Sequence, residues 1–474
     1  MRKRSVIWLT LPLSVLLTLI IACGPTPPRP NPTTSTGVME RSLRSAYQFL
    51  APTNVTRPVA TVPPGENLYV LDGYTPLGAN STDGQQIVAF HPGSANPATL
   101  VTLPTGLTSQ DHQRLYTATA RDGQTAIAII NTQTGAKIHS FVIAGTYSIV
   151  EQDFANSVSS PDGRWLALRQ VGQTGNETTI ALVDTQAGKL VKTIQLNGNF
   201  SLDAISAHAG IIYLLQYLND GSNHYYVKAY DTRANQLLPT IIADKGELND
   251  PRMVGTALTR QVSADGKFAY TLYIDTTRNI AFVHILPLSD KPEPGGSNEL
   301  PVPQFARCID LPTGKSADLL HYYTLALSPD GSTLYAANGA LGTITAIGLN
   351  NDEYNVIAIN ISSQNTFDPG HISMASSDTI RMLHNGAVLS PDGSTLYFTG
   401  VRGIWAVDTH NLGIKGHYLI QDALTGVGFS ADGRTLYAVD PAHGITLLNA
   451  ATGQTQQIIQ GPAHAPWGIE WVTN

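Results

Sequence analysis

The stretch that most limits what this chain can fold into is Leu325 to Asn338, which reads LALSPDGSTLYAAN. Two alternating apolar runs flank Ser328-Pro329-Asp330-Gly331. Proline presets φ for the first corner of a type I turn, aspartate suits the next corner, and glycine accepts the left-handed conformation that follows. The phrase therefore predicts a tight β-hairpin. Because it returns along the chain, the repeat period, more than any single residue, sets the fold.

Clear copies of the turn are Ser160-Pro161-Asp162-Gly163, Ser263-Ala264-Asp265-Gly266, Ser390-Pro391-Asp392-Gly393 and Ser430-Ala431-Asp432-Gly433. Ser109-Gln110-Asp111-His112 and Ser206-Ala207-His208-Ala209-Gly210 are decayed versions. Eight segments fit one template: an apolar run, a turn, a Leu-Tyr-like strand, a second strand that often ends in Asp or Asn, a turn and a third strand. Their Leu-Tyr-like strands begin at Leu68, Leu115, Leu166, Ile212, Ala269, Leu334, Leu396 and Leu436, 40 to 65 residues apart. The later turn also repeats, as in Asp184-Thr185-Gln186-Ala187-Gly188-Lys189 and Asn449-Ala450-Ala451-Thr452-Gly453. That period suits four-stranded propeller blades.

From about Leu68 onward these motifs resemble the YVTN-type β-propellers, whose repeats read as SPDG-x-x-LY followed by an apolar strand and D-x-x-x-G-K. The Gly-His and Trp-Asp pairs of WD-repeat proteins do not occur with any regularity. The resemblance implies an all-β fold and a single β-propeller. Eight units give eight blades, and seven, commoner among resembling families, is the alternative count. The chain ends in Pro466-Trp467-Gly468-Ile469-Glu470-Trp471-Val472, an inner-strand pattern with no outer strands after it. This strand is expected to pair with Leu68 to Leu71 in the first blade, burying Trp467 or Trp471 and closing the ring.

The first residues predict where the propeller works. Arg2, Lys3 and Arg4 precede an apolar run from Val6 to Ala22, and Ile20-Ile21-Ala22-Cys23 resembles a bacterial lipobox. Residues 1–22 are then a lipoprotein signal peptide, and Cys23 becomes the lipidated N-terminus. An uncleaved membrane anchor is the other reading, and both place the rest of the chain outside the cytoplasm. Residues 23–60 read as a Pro/Thr-rich spacer, extended at about 3 Å per residue where proline alternates, with a short helix expected over Val38 to Leu50. The propeller takes 61–474. Without the leader's three cations the chain keeps 25 basic against 35 acidic residues, a net charge of -10. Phosphate backbones repel such a chain, so no nucleic-acid partner is expected. With Cys23 lipidated, Cys308 is the only other cysteine. No intrachain disulfide forms, and Cys308 is expected to be buried beside Phe305, Ile309 and Leu311.

The sequence offers no Gly-x-Ser-x-Gly, no paired histidines at helical spacing and no metal-type cysteine pair. No catalytic residue, metal or cofactor is assigned, and the turn aspartates read as hairpin corners. Two irregular stretches, Pro287 to Pro303 and Ile361 to Thr379, are solvated connections or a rim that contacts a partner. Candidate ligand-binding residues stand where inner strands begin: His321 and Tyr322, His384 and Asn385, His464 and Trp467. The chain thus reads as a lipid-anchored, monomeric binding or protein-interaction scaffold for an unknown protein or small molecule. The alternative is a lactonase-like or quinoprotein-like propeller enzyme, which needs His321, His384 and His464 to converge at one channel mouth.

Overall fold

A computed structural model describes residues 62–73, 85–94, 96–149, 155–173, 175–244, 250–291, 305–350, 354–361 and 383–473. Cys23, the spacer, the expected helix over Val38 to Leu50, most of Pro287 to Pro303 and all but Ile361 of Ile361 to Thr379 lie outside the described residues.

The described residues form eight four-stranded antiparallel blades. The first joins β1 (Asn67–Asp72), β2 (Gln86–Phe90) and β3 (Thr99–Pro104) to the closing strand β32 (Pro466–Thr473). The other seven follow in chain order: β4 to β7 (107–144), β8 to β11 (157–197), β12 to β15 (199–244), β16 to β19 (256–310), β20 to β23 (323–360), β24 to β27 (387–418) and β28 to β31 (426–459). Every Leu-Tyr-like strand read from the sequence is the second strand of its blade. The weak repeat at Ile212 is a full blade, so the count is eight.

Burial follows position within the blade. Middle strands such as β10, ETTIALVD, are buried along most of their length, because a neighbouring blade packs on each face. Outer strands such as β11, KLVKTIQLN, alternate between buried and exposed residues, one face being wet. The cores lie between blades. One cluster joins Tyr213, Tyr225 and Val227 of the fourth blade to Tyr273 and Phe282 of the fifth.

The hairpin phrase folds as its residues dictate. Gly163, Gly266, Gly331, Gly393 and Gly433 take φ between 65° and 70°. In each of these turns the serine hydroxyl donates to the aspartate two residues on, as Ser328 does to Asp330 Oδ1 at 2.6 Å. The aspartates are hairpin corners. In the second blade His112 occupies the glycine position at φ 53°.

The fourth blade lacks the aspartate, and Ala209 stands in the glycine position at φ 54°. Its missing carboxylate comes from the fifth blade. Asp290 Oδ1 accepts from the Ser206 hydroxyl at 2.6 Å and from the amides of His208 (3.0 Å) and Gly210 (3.1 Å). A Cβ on Gly210 would stand 2.3 Å from the Asp290 carbonyl oxygen, so only glycine admits this approach. The outer strands β15 and β19 also pair in parallel, through Ala243 with Phe305 and Asp244 with Ala306, joining blades four and five into one eight-stranded sheet.

The ring closes through its last strand. β32 runs antiparallel to β1, pairing Leu68 with Val472 and Tyr69 with Trp471. Trp467 and Trp471 are each 5% exposed, in a cluster with Tyr69, Leu71 and Leu115. Both indoles are buried, where the sequence promised one or the other. Glu66 adds a second tie. Its carboxylate accepts from the Ala431 amide at 2.7 Å and from the Tyr437 hydroxyl, fastening the entry of the first blade to the eighth. Cys308 is only half-buried on β19, a partial correction to the expected burial, because the outer strand of a blade has one wet face.

Candidate functional site

In a four-stranded antiparallel blade the first turn and the third turn share one rim. The second turn and the inter-blade connection share the other. The Ser-x-Asp-Gly turns therefore crowd one rim, and all six candidate residues belong to the opposite one or to the inner strands leading from it.

His384 and Asn385 stand before β24 and are tied to two further inner strands. The His384 amide donates to the Thr425 carbonyl at 2.9 Å, and the Val427 amide to the Asn385 carbonyl at 3.1 Å. Asn385, at φ 51°, donates through Nδ2 to the Ile469 carbonyl at 2.7 Å. Asparagine tolerates that left-handed backbone better than most residues. The Thr425 hydroxyl donates to the Trp467 carbonyl. The His384 ring lies 5.8 Å from that of Trp467, centroid to centroid. His384 Nε2 meets Glu470 Oε1 at 2.7 Å, with side-chain exposures of only 5% and 10%.

The position of Glu470 is set by a β-bulge. The register of β32 on β1 passes from Trp471 opposite Tyr69 to Ile469 opposite Val70, so Glu470 is the extra residue and is turned out of the ladder. A second bulge does the same for Trp467. Gly468 makes room for the histidine, since a Cβ there would sit 2.5 Å from His384 Cδ2. This clasp of blades seven, eight and one is buried at its His384–Glu470 pair and is held by contacts among its own residues. Sequence reading found His384, Asn385 and Trp467 but passed over Glu470 and Thr425. The visible signal was a lone carboxylate between Ile469 and Trp471 in an otherwise apolar strand.

The other candidates do not join this clasp. Tyr322 is buried against Ala340 and Val401, and His464 is exposed. His321 ends a 3-10 helix, Ala317–Tyr322, that leads into β20. It lines a cleft of 760 Å³ between blades four and five, within the size range of small-molecule sites. Burial pushes the His321 imidazole pKa down, against the nearby charge of Asp318. Its Nδ1 is buried with no hydrogen-bond partner among the described residues.

The cleft walls are built by turns and strand ends: Tyr217 at the end of β13, Ser222 in the following loop, Thr256 opening β16, and Asp275 and Arg278 at the turn after β17. Arg278 fastens the two walls together. Its Nη1 lies 2.6 Å from Asp275 Oδ2, and its Nη2 donates to the Ser222 carbonyl at 3.1 Å. Tyr217 stands edge-on to Tyr225 with ring centroids 5.5 Å apart. Below them Tyr273 donates to Asp203 Oδ1 at 3.0 Å, and Arg260 Nη2 reaches the same oxygen at 2.9 Å. Asp203 is the extra residue of a bulge in β12, as Glu470 is in β32. The cleft offers an aromatic platform, an immobilised guanidinium and several hydroxyls. Among the described residues no group of three or more His, Cys, Asp and Glu could hold a metal ion, and no helix is long and apolar enough to cross a membrane.

No family model matches the chain, and no curated protein matches it. Several solved propeller-type structures are similar in outline. Apo AztD from Citrobacter koseri is 11% identical with a TM-score of 0.48, over 86% of this chain and 98% of that one. The periplasmic gluconolactonase PpgL of Pseudomonas aeruginosa is 15% identical with a TM-score of 0.40, over 86% and 99%. The dihydro-heme d1 dehydrogenase NirN is 14% identical with a TM-score of 0.43, over 78% and 66%. At these identities and scores, none of the three assigns an activity to this chain.

Proposed function

We propose that the chain is an extracytoplasmic, lipid-anchored propeller of the YVTN type that binds a small polar molecule without transforming it. The observation that carries this reading is the cleft between blades four and five, already formed and bridged wall to wall by Arg278, which pairs with Asp275 and donates to the Ser222 carbonyl. Pre-formed width favours binding, because little ordering entropy is lost when the ligand enters. An enzymatic reading needs an acid–base pair open to a ligand, whereas the buried His384–Glu470 pair is spent on the clasp between inner strands. The leader and spacer support attachment through Cys23, with the propeller held off the membrane as a monomer. The net negative charge supports a partner other than nucleic acid.

Calorimetric titration of the chain against a panel of mono- and oligosaccharides, amino acids and small lactones tests the proposal. One saturable ligand should emerge, recovered unchanged, and both Tyr217→Ala and Arg278→Ala should weaken it at least about tenfold, the scale of one lost well-made contact. Turnover of a lactone that Arg278→Ala abolishes would replace binding by catalysis. Affinity untouched by both substitutions would remove the cleft from the account.

A further inference from the structure

Blade five carries a polar row inside an otherwise apolar interface. Arg260 of β16 pairs in register with Thr271 of β17, Thr271 with His284 of β18, and His284 with Cys308 of β19. His284 shares one face of β18 with Phe282 and Leu286, which pack with Cys308 against Tyr213, Tyr225 and Val227 of blade four. The ends of the row have partners. Arg260 donates to Asp203 and to the Thr271 hydroxyl, and the Cys308 amide donates to Asp244 Oδ1 at 3.2 Å.

His284, inside the row, has none. His284 is 1% exposed, and among the described residues neither Nδ1 nor Nε2 has a hydrogen-bond partner. Buried polar groups are almost always satisfied, and an exception points to something that belongs there, such as a water or an ion. Burial also holds the imidazole in its neutral form, which leaves a lone pair on one ring nitrogen. Residues directly opposite on an antiparallel pair have Cβ atoms about 4.5–5.5 Å apart. The imidazole and the half-buried Cys308 side chain therefore lie side by side, with the cysteine on the outer strand that solvent reaches.

We propose that His284 and Cys308 form a two-donor site for a soft monovalent cation, Cu(I). Thiolate sulfur with imidazole nitrogen selects that class of metal. Zn(II) needs about four protein ligands in a closed site, and no such group exists among the described residues. Cu(I) is content with two donors in near-linear array. On binding, Cu(I) takes the place of the thiol proton, which leaves to solvent. The metallated pair stays electrically neutral, as an apolar interface requires. Cys308 at the perimeter receives the ion, and His284 behind it supplies the second bond.

The test uses the full chain with Cys23→Ser, so that Cys308 is the sole thiol. Reduced, oxygen-free protein is titrated with Cu(I) in the presence of a coloured chelator. The parent should withdraw one Cu(I) per chain, and a further Cys308→Ala should withdraw none. His284→Leu, an apolar replacement in an apolar interface, should weaken retention at least about tenfold, the loss that follows removal even of a supporting group around a metal. Its thiol should still react with a thiol reagent. Zn(II) should not be held. Failure of the parent to compete with the chelator overturns the proposal, and so does His284→Leu retaining Cu(I) as tightly as the parent. Should His284→Leu not fold, X-ray absorption of the Cu(I)-loaded parent decides: one sulfur and one imidazole nitrogen support the site, and sulfur alone overturns it.

Discussion

At the scale of single residues, the turn positions divide by what each atom is asked to do. Gly331 sits at φ 70° with nothing within 4 Å of where a Cβ would stand, so the backbone conformation alone selects glycine. Gly331→Val should lower stability by about 1 kcal/mol or more, seen as a drop in Tm. Asp330→Ala removes only exposed hydrogen bonds from Ser328 and Ser332 and should lower Tm less. Asp290 reverses that ranking for the fourth blade, because its carboxylate completes a turn more than eighty residues away. Asp290→Ala should cost roughly 2 kcal/mol, the scale of charge-assisted bonds lost together, by urea denaturation. Burial by itself would raise the Asp290 pKa, but the bonds from Ser206, His208 and Gly210 outweigh it and hold the group below the ordinary 3.8. A depressed folded pKa means that its stabilisation is present in full above the unfolded value and fades as pH falls through the folded one. Denaturation midpoints measured from pH 6 down to pH 2 should therefore fall less steeply for Asp290→Asn than for the parent.

At the scale of elements, two inner-strand bulges place carboxylates where a regular ladder would not: Asp203 in β12 and Glu470 in β32. Removing one partner of a buried pair strands the other. Glu470→Leu should cost about 3 kcal/mol, whereas Glu470→Leu combined with His384→Leu should cost less than the two single losses added. The comparison is a double-mutant cycle in thermal or chemical denaturation, and additivity would show that the pair is not coupled. The closing strand has wider consequences. Deleting 466–474 uncovers the edge of β1 and the apolar surface that Trp467 and Trp471 cover, worth a few kcal/mol in a fold with about 5–15 to spare. An open β edge also invites association. A deletion of similar length within 292–304, beyond Asp290, should leave Tm and solubility close to the parent. Static light scattering and melting of the two truncations decide between a ring closed by its last strand and one that is not.

At the scale of the whole molecule, the proposed attachment would rest on one atom. The sulfur of Cys23 would accept the lipid, and two or three acyl chains anchor firmly where a single chain is marginal. Cys23→Ser should leave an unlipidated precursor that takes up no labelled palmitate. Wild-type labelling of that variant would refute the lipobox reading. The chain as a whole is acidic, with a formal net charge of -7.

The amino-acid sequence alone determined the blade. Turn chemistry is local, so five clear Ser-x-Asp-Gly turns and two decayed ones, read together with the Leu-Tyr-like runs, placed the second strand of all eight units, and the unfinished last unit announced the closing strand. It also determined that the hairpin-turn glycines such as Gly331 and Gly393 turn left-handed, because the turn type asks for it locally. What only the tertiary structure decided were pairings between residues far apart in the chain. Asp290 serves a turn in another blade, Glu470 reaches His384 because a bulge turns it, and Arg278 and His321 reach one cleft from different blades. The candidate histidines illustrate the limit. Each was correctly read as standing before an inner strand, yet His384 enters a buried clasp, His321 a cleft and His464 the solvent. The period says how far along a blade a residue sits. The packing of one blade on the next says what that residue meets.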